Sequence, residues 1–256
     1  MKPTVLPALL ALAALAACSD YNSPSTPPAP TYTTFAALGD SATIAAKLDD
    51  FRNALGSLHP PAVPAADSGR REINWDGVPA ALTNVDTFPA NFFNVTSTRG
   101  ALFAGPGTGF RVDSTSFASI NAGLATQFKA FSPKKLFMSV GSNVTEVFFD
   151  LVKTQTSGVV KGFGVVFSDV DRAGSTQVEF FDTAGLRLAS LAAPARSGAQ
   201  EFSFIGAVFT SSIVARVRIT SGEAALNGTS TDLSAGGSND LVVMDDFVFG
   251  EPQPTP

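Results

Sequence analysis

The sequence predicts a mainly β fold: an antiparallel two-sheet β-sandwich with one amphipathic helix near its N-terminus. Three observations predict it. About ten short apolar segments follow one another between clusters of Gly, Pro, Asn, Asp and Ser, with no helical pattern separating them. One of them, Ile213 to Thr220, alternates cleanly, with Ile213, Ala215, Val217 and Ile219 facing one way and Val214, Arg216, Arg218 and Thr220 the other. That is the pattern of an antiparallel strand with one wet face. Residues 40–56 carry the single 3.6-residue period, Ile44, Leu48, Phe51 and Leu55.

From the N-terminus, Lys2 precedes an apolar run, Val5 to Ala14, that is too short to span a bilayer. The run ends in Leu15-Ala16-Ala17-Cys18. This string resembles the lipobox of bacterial lipoprotein precursors. The resemblance implies a signal peptide over 1–17, cleavage before Cys18, and acyl chains (palmitate among them) that hold the chain to a membrane. Cys18 is the only cysteine, which excludes an intramolecular disulfide. Ser19, rather than an acidic residue, follows it, which by analogy places the protein in the cell envelope at the outer membrane. Residues 18–34 are rich in Ser, Thr and Pro and are expected to form a disordered tether. The tail 251–256 is expected to be disordered too. Between them, 35–250 is expected to be one domain, because no second linker interrupts it.

In the helix, Asp40 or Ser41 supplies the N-cap and Gly56 the stop. Residues 57–71 are a loop rich in Pro, Ala and Gly. Strands are then expected at 100–104, 109–113, 126–131, 135–140, 144–152, 159–168, 175–182, 186–191, 200–209, 213–220 and 241–249. The segments at 162–171, 178–188 and 242–250 resemble jelly-roll modules of secreted proteins. The resemblance implies a jelly-roll-like sandwich, carbohydrate binding and a structural calcium ion. The stretches Gly69–Pro79 and Asn91–Asn94 also resemble an uncharacterised group of secreted bacterial proteins, which implies no activity.

The charge is −5, and the basic residues are scattered apart from Arg70-Arg71 and Lys134-Lys135, so no footprint for nucleic acid is visible. The chain has one histidine, His59. A zinc site of the usual catalytic kind draws on several His or Cys ligands, and those are not available. Phe35-Ala-Ala-Leu-Gly-Asp-Ser41 resembles the first block of GDSL-type esterases, whose serine is the nucleophile. The required Asp-x-x-His is missing, since Gly56 stands three positions before His59, so Asp40 and Ser41 read better as a helix cap. A glycosidase carboxylate pair leaves no spacing signature and stays open.

Acidic residues are the better candidates, for calcium. Asp169 and Asp171 put two carboxylates on one side of an extended segment. Asp245 and Asp246 alternate on the last strand, so one of them faces inward and needs a cation or hydrogen-bond donors. Asp76 and Asp240 complete the set. Trp75, next to Asp76, has two readings: a sugar-stacking surface with Asp76, or a core residue alternating with Ile73. The resulting expectation is a lipid-anchored envelope binding module, for a glycan and without catalysis. The alternatives are a structural or adhesion lipoprotein with a protein partner, or a hydrolase of the glycosidase or GDSL kind.

Overall fold

The computed structural model describes residues 30–255. The expected signal peptide, Cys18 and the expected tether up to residue 29 lie outside the described residues. The elements in order are β1 (Tyr32–Gly39), α1 (Ser41–Leu55), β2 (Arg70–Ile73), the short α2 (Phe92–Val95), β3 (Ala101–Ala104), β4 (Gly109–Asp113), β5 (Leu136–Val140), β6 (Val144–Phe149) and β7 (Gly158–Val159). They continue with β8 (Gly162–Ser168), β9 (Gln177–Phe181), β10 (Arg187–Ala192), β11 (Phe202–Phe209), β12 (Arg216–Thr220), β13 (Val243–Gly250) and β14 (Gln253–Pro254).

The strands form two antiparallel sheets packed as a sandwich, as the alternation predicts. The larger runs β1-β11-β8-β13-β5-β4, with β2 also paired to β13; the smaller runs β10-β9-β12-β6-β3. Their inner faces meet in one phenylalanine-rich core. Phe137, Phe163, Phe167, Phe247 and Phe249 come from the larger sheet, and Val147, Phe149, Val178, Phe180, Val217 and Ile219 from the smaller.

The larger sheet is covered on its outer face as well. The stripe Ile44, Leu48, Phe51 and Leu55 of α1 packs on Val166, Phe202, Phe204, Val208 and Val248. Asp40 caps the helix by accepting from the Thr43 amide at 2.9 Å, and Gly56 closes it with φ 105°. Gly164 and Gly206 are cross-strand partners beneath the Phe51 ring. A Cβ on either would come within about 3 Å of that ring, so only glycine lets the helix approach the sheet this closely. Beside the helix, Phe117, Leu124, Phe128, Leu226 and Leu241 cover Leu136, Met138 and Val243. Among the described residues, no such cover lies on the smaller sheet.

Several boundaries need correction. The stretch expected to be a disordered tether up to residue 34 is already strand at its end, because β1 pairs with β11 from Tyr32 onward. Its side chains are mostly half-exposed or exposed, so the segment carries no strong apolar pattern. The tail is not free either: Glu251 is buried, and β14 pairs with β7. The expected strand at 126–131 is a short helical turn over Ala122–Thr126 followed by irregular chain. There Phe128 turns into the outer apolar patch. The strand at 213–220 shortens to Arg216–Thr220, with Val214 held by an isolated bridge to Val160. No helix among the described residues is long and apolar enough to cross a membrane.

Candidate functional site

The sequence candidates fall at three separate places, and a fourth surface emerges only in the fold. The first is an acidic centre at the end of β8. Asp169 and Asp171 follow that strand directly, and the long segment between β12 and β13 brings Asp232 to them. One carboxylate oxygen from each of the three lies within 4.8 Å of the others. All three are buried, and Asp169 and Asp232 have no exposed surface at all. Asp171 accepts from the Gly198 amide at 2.8 Å through one oxygen and has no partner on the other. Asp232 accepts from the Leu241 amide at 2.8 Å and from the Ser234 amide at 2.7 Å. Neither oxygen of Asp169 has a hydrogen-bond partner. Burial, then repulsion from Asp232, Asp171 and Asp240, pushes the Asp169 carboxyl up to about 9; the nearby Gln200 amide, which donates to the Gln127 carbonyl at 2.8 Å, offsets this only in part. Asp240 is buried alongside and accepts from the amides of Asp171 and Arg172 and from the Ser175 hydroxyl. It thereby fixes the turn that carries Asp171.

The second place is Asp245 and Asp246. The expectation that they point to opposite faces needs correction, because β13 has a bulge there. Met244 pairs with Phe167 and Phe247 with Val165, so β13 spends three steps where β8 spends two. Asp245 is fully buried and accepts from the Phe131 amide at 2.6 Å and the Ser132 hydroxyl at 2.7 Å. Burial, then its neighbour Asp246, pushes the Asp245 carboxyl well above the usual range. Asp246 has one oxygen 3.8 Å from Arg52 and the other unpartnered. Neither belongs to the group of carboxylates that converge at Asp169.

Asp246 opens onto a cleft of about 280 Å³, lined by Arg52, His59, Glu72, Asn74 and Arg99 among others. Its charges are largely spent on one another. Glu72 is held by Arg52 at 2.9 Å and Arg70 at 2.7 Å, and His59 Nδ1 lies 3.1 Å from Glu251. Ser41 starts α1 and His59 lies beyond its end. Fifteen helical residues span roughly 22 Å, so serine and histidine cannot meet as nucleophile and base.

The third place is Trp75, where the structure corrects the sugar-stacking reading. The side chain is 1% exposed. It stacks on Phe137 with ring centroids 4.0 Å apart, and its indole N–H donates to the Asp245 carbonyl at 2.8 Å. It enters the core from a turn with φ 63°, not from the expected strand alternation. Asp76 beside it is half-buried and has one buried oxygen without a partner.

The fourth place is the uncovered face of the smaller sheet. Cross-strand register aligns Phe181, Arg216, Phe148 and Leu102 in one row and Glu179, Arg218, Glu146 and Ala104 in the next. The Arg216 guanidinium lies 3.9 Å over the Phe181 ring and also bonds Glu146 at 2.8 Å. Arg218 bonds the same carboxylate at 2.6 Å. Phe148 is 39% exposed. At this end of the face lies a groove of about 420 Å³, lined by Phe148, Ser157, Asp182, Thr183 and Arg216. The pattern of Arg216 and Arg218 outward was legible in the sequence; their pairing with Phe148 and Phe181 required the register.

No family model and no curated protein matches the chain. Among solved structures, it is similar to the enzymatically active domain of tailspike protein 4 of bacteriophage CBA120, at 14% identity and a TM-score of 0.18. The match covers 56% of this chain and spans about a fifth (21%) of that one. Likeness at that level carries no functional argument.

Proposed function

We propose that this chain is a lipid-anchored binding module of the cell envelope that holds a carbohydrate in the groove at the edge of its uncovered sheet face. The observation that carries the reading is the exposed Phe148 ring beside Arg216, Asp182, Thr183 and Ser157 in one groove. A sugar ring offers an apolar C–H face and a rim of hydroxyls. An aromatic face flanked by charged and hydroxyl side chains complements both. The other faces are less open to a ligand: helix α1 and the Phe117 patch cover the larger sheet. The lipobox residues around Cys18 support anchoring to the outer membrane.

The test is a glycan array and isothermal titration with the mature chain and its Phe148→Ala variant. Saturable binding to an envelope polysaccharide is expected, weakened about tenfold by Phe148→Ala, which corresponds to about 1.4 kcal/mol. Binding that is indifferent to Phe148→Ala, or capture of an envelope protein with no affinity for any glycan, would refute the reading.

A further inference from the structure

We propose that Asp169, Asp171 and Asp232 hold a divalent cation, calcium by the chemistry of the donors, which ties the long segment between β12 and β13 to the end of β8. The inference does not rest on the carbohydrate reading.

The spacing fits an ion. Three carboxylate oxygens within 4.8 Å of one another are no farther apart than ligands on opposite sides of an ion with bonds of about 2.4 Å. A cluster of acids can also arise without an ion, so a separate observation decides. Both oxygens of Asp169 are buried and without a hydrogen-bond partner, as is the second oxygen of Asp171. A buried carboxylate with no donor forfeits its hydration and gains nothing in return. Neighbouring amides could have relieved it, but they are committed elsewhere. The Gly198 amide goes to Asp171, and the Leu241 and Ser234 amides go to Asp232.

Among the described residues, no cationic side chain pairs with Asp169, Asp171 or Asp232. The two arginines on the adjoining turns reach outward: Arg172 to Glu223 and Arg196 to Glu201. The backbone is committed to the same geometry. Asp169 has φ 72°, a left-handed conformation that costs a non-glycine residue energy, and its amide is fixed to the Glu201 carbonyl at 2.8 Å. Asp240 acts as a positioning residue by gathering the Asp171 and Arg172 amides and the Ser175 hydroxyl.

The donors are all oxygen. The single histidine, His59, belongs to the Glu251 cluster, and the single cysteine, Cys18, lies in the lipobox. An all-oxygen set with three carboxylates suits a hard ion of flexible coordination, whereas zinc favours nitrogen and sulfur. An ion there would bridge segments that are distant in the chain, since Asp232 lies in a Gly-, Ser- and Thr-rich stretch far from β8.

The experiment uses the mature chain, first treated with EDTA and dialysed, with calcium chloride as the probe. Elemental analysis and calorimetry are expected to give one calcium per chain. Thermal melting is expected to rise by about 5 to 10 °C at a hundredfold excess over Kd. Asp169→Asn and Asp232→Asn should each abolish the calcium-dependent rise. In EDTA, Asp169→Asn should melt no lower than the wild type, because the wild-type carboxyl makes no hydrogen bond that the substitution could lose; a merely structural aspartate would instead lower the melt in both buffers. Asp245→Asn, outside the cluster, should keep the calcium response. Identical melting of the wild type in EDTA and calcium with no bound metal, or a calcium rise retained in Asp169→Asn, would overturn the proposal. Stoichiometric binding of zinc in preference to calcium would overturn the assignment of the ion.

Discussion

Arg71 should be among the most costly side chains to remove, because its whole environment was built around its charge. The guanidinium is fully buried and bonds both oxygens of the equally buried Glu251, at 2.6 and 2.7 Å. Its remaining donors reach the carbonyls of His59, Pro60, Val63 and Pro64 at 2.9 to 3.3 Å. Arg71→Met keeps the apolar stem but leaves Glu251 charged and buried with only His59 and the Ala66 amide nearby. Breaking a buried pair from one side costs about 3 to 5 kcal/mol. For a domain of this size that lowers the melting midpoint by roughly 6 to 20 °C, at 2 to 4 °C per kcal/mol. Replacing both partners, Arg71→Met with Glu251→Met, removes the stranded charge and should recover part of the loss. Urea unfolding followed by fluorescence of Trp75 measures all three proteins, with the midpoint shift at constant slope giving the energy. A loss below about 1 kcal/mol in the single variant, or a double variant no more stable than the single, would refute the reasoning.

Three further outcomes are expected. Asp40→Ala should lower the denaturation midpoint through loss of the N-cap on α1, while Ser41→Ala should leave stability and any ester hydrolysis unchanged; paired chemical denaturation and an esterase assay check both. Asp113 is buried, and that burial alone would raise its carboxyl. Bonds from the Thr115 hydroxyl, the Phe117 and Thr115 amides and Arg111 outweigh it and hold the group below its ordinary value. Its contribution should therefore be complete above about pH 4 and lost as pH falls through the lowered value, so Asp113→Asn should be less stable than the wild type at pH 7, with a gap that narrows in acid melts. Cys18→Ser should abolish labelling by radioactive palmitate and release the protein from the membrane fraction; continued labelling would remove the lipobox reading.

Local patterns in the sequence carried the features that are locally determined. The α1 stripe, its Asp40 cap and its Gly56 stop all depend on residues within a turn of each other, and all three appear where the periodicity puts them. The wet face of β12 was likewise written into the alternation of Arg216 and Arg218 with Val217 and Ile219. What the sequence concealed was decided at long range. Glu251 sits in a proline-rich tail that looks unstructured, and only the distant Arg71 makes it a core residue. Asp232 lies in a stretch that reads as a plain loop, with no spacing to link it to Asp169. The available hint was its neighbour Ser234, an Asp-x-Ser turn that the structure forms at 2.7 Å. A one-residue bulge was enough to undo the alternation argument for Asp245 and Asp246, since the period-2 rule fails wherever a strand takes an extra step.

The layering gives the two proposals different positions and different tasks. The larger sheet is covered on both faces, and apart from Asp246, which lines the cleft beside Arg52, its buried polar groups hold the molecule together. Asp245 illustrates this by fastening the 131–132 chain with its carboxylate while its carbonyl anchors Trp75. The Asp169 centre has the same character: it lies between loops, and all three of its carboxylates are buried. An ion there would rigidify the scaffold without touching a ligand. Among the described residues the smaller sheet is covered on one face only, and its other face carries Phe148 and the Arg216–Glu146–Arg218 network. Binding energy is best obtained from groups already held in place, because little rotamer freedom is then lost on contact. Arg216 meets that condition, being fixed by Glu146 and by the Phe181 ring before any ligand arrives. Calcium removal and Phe148→Ala should therefore act independently: the first lowers the melting point and leaves glycan affinity nearly intact below the melt, and the second does the reverse. Strong coupling between the two in a combined titration would show that the groove and the acidic centre move together, contrary to this division of the fold.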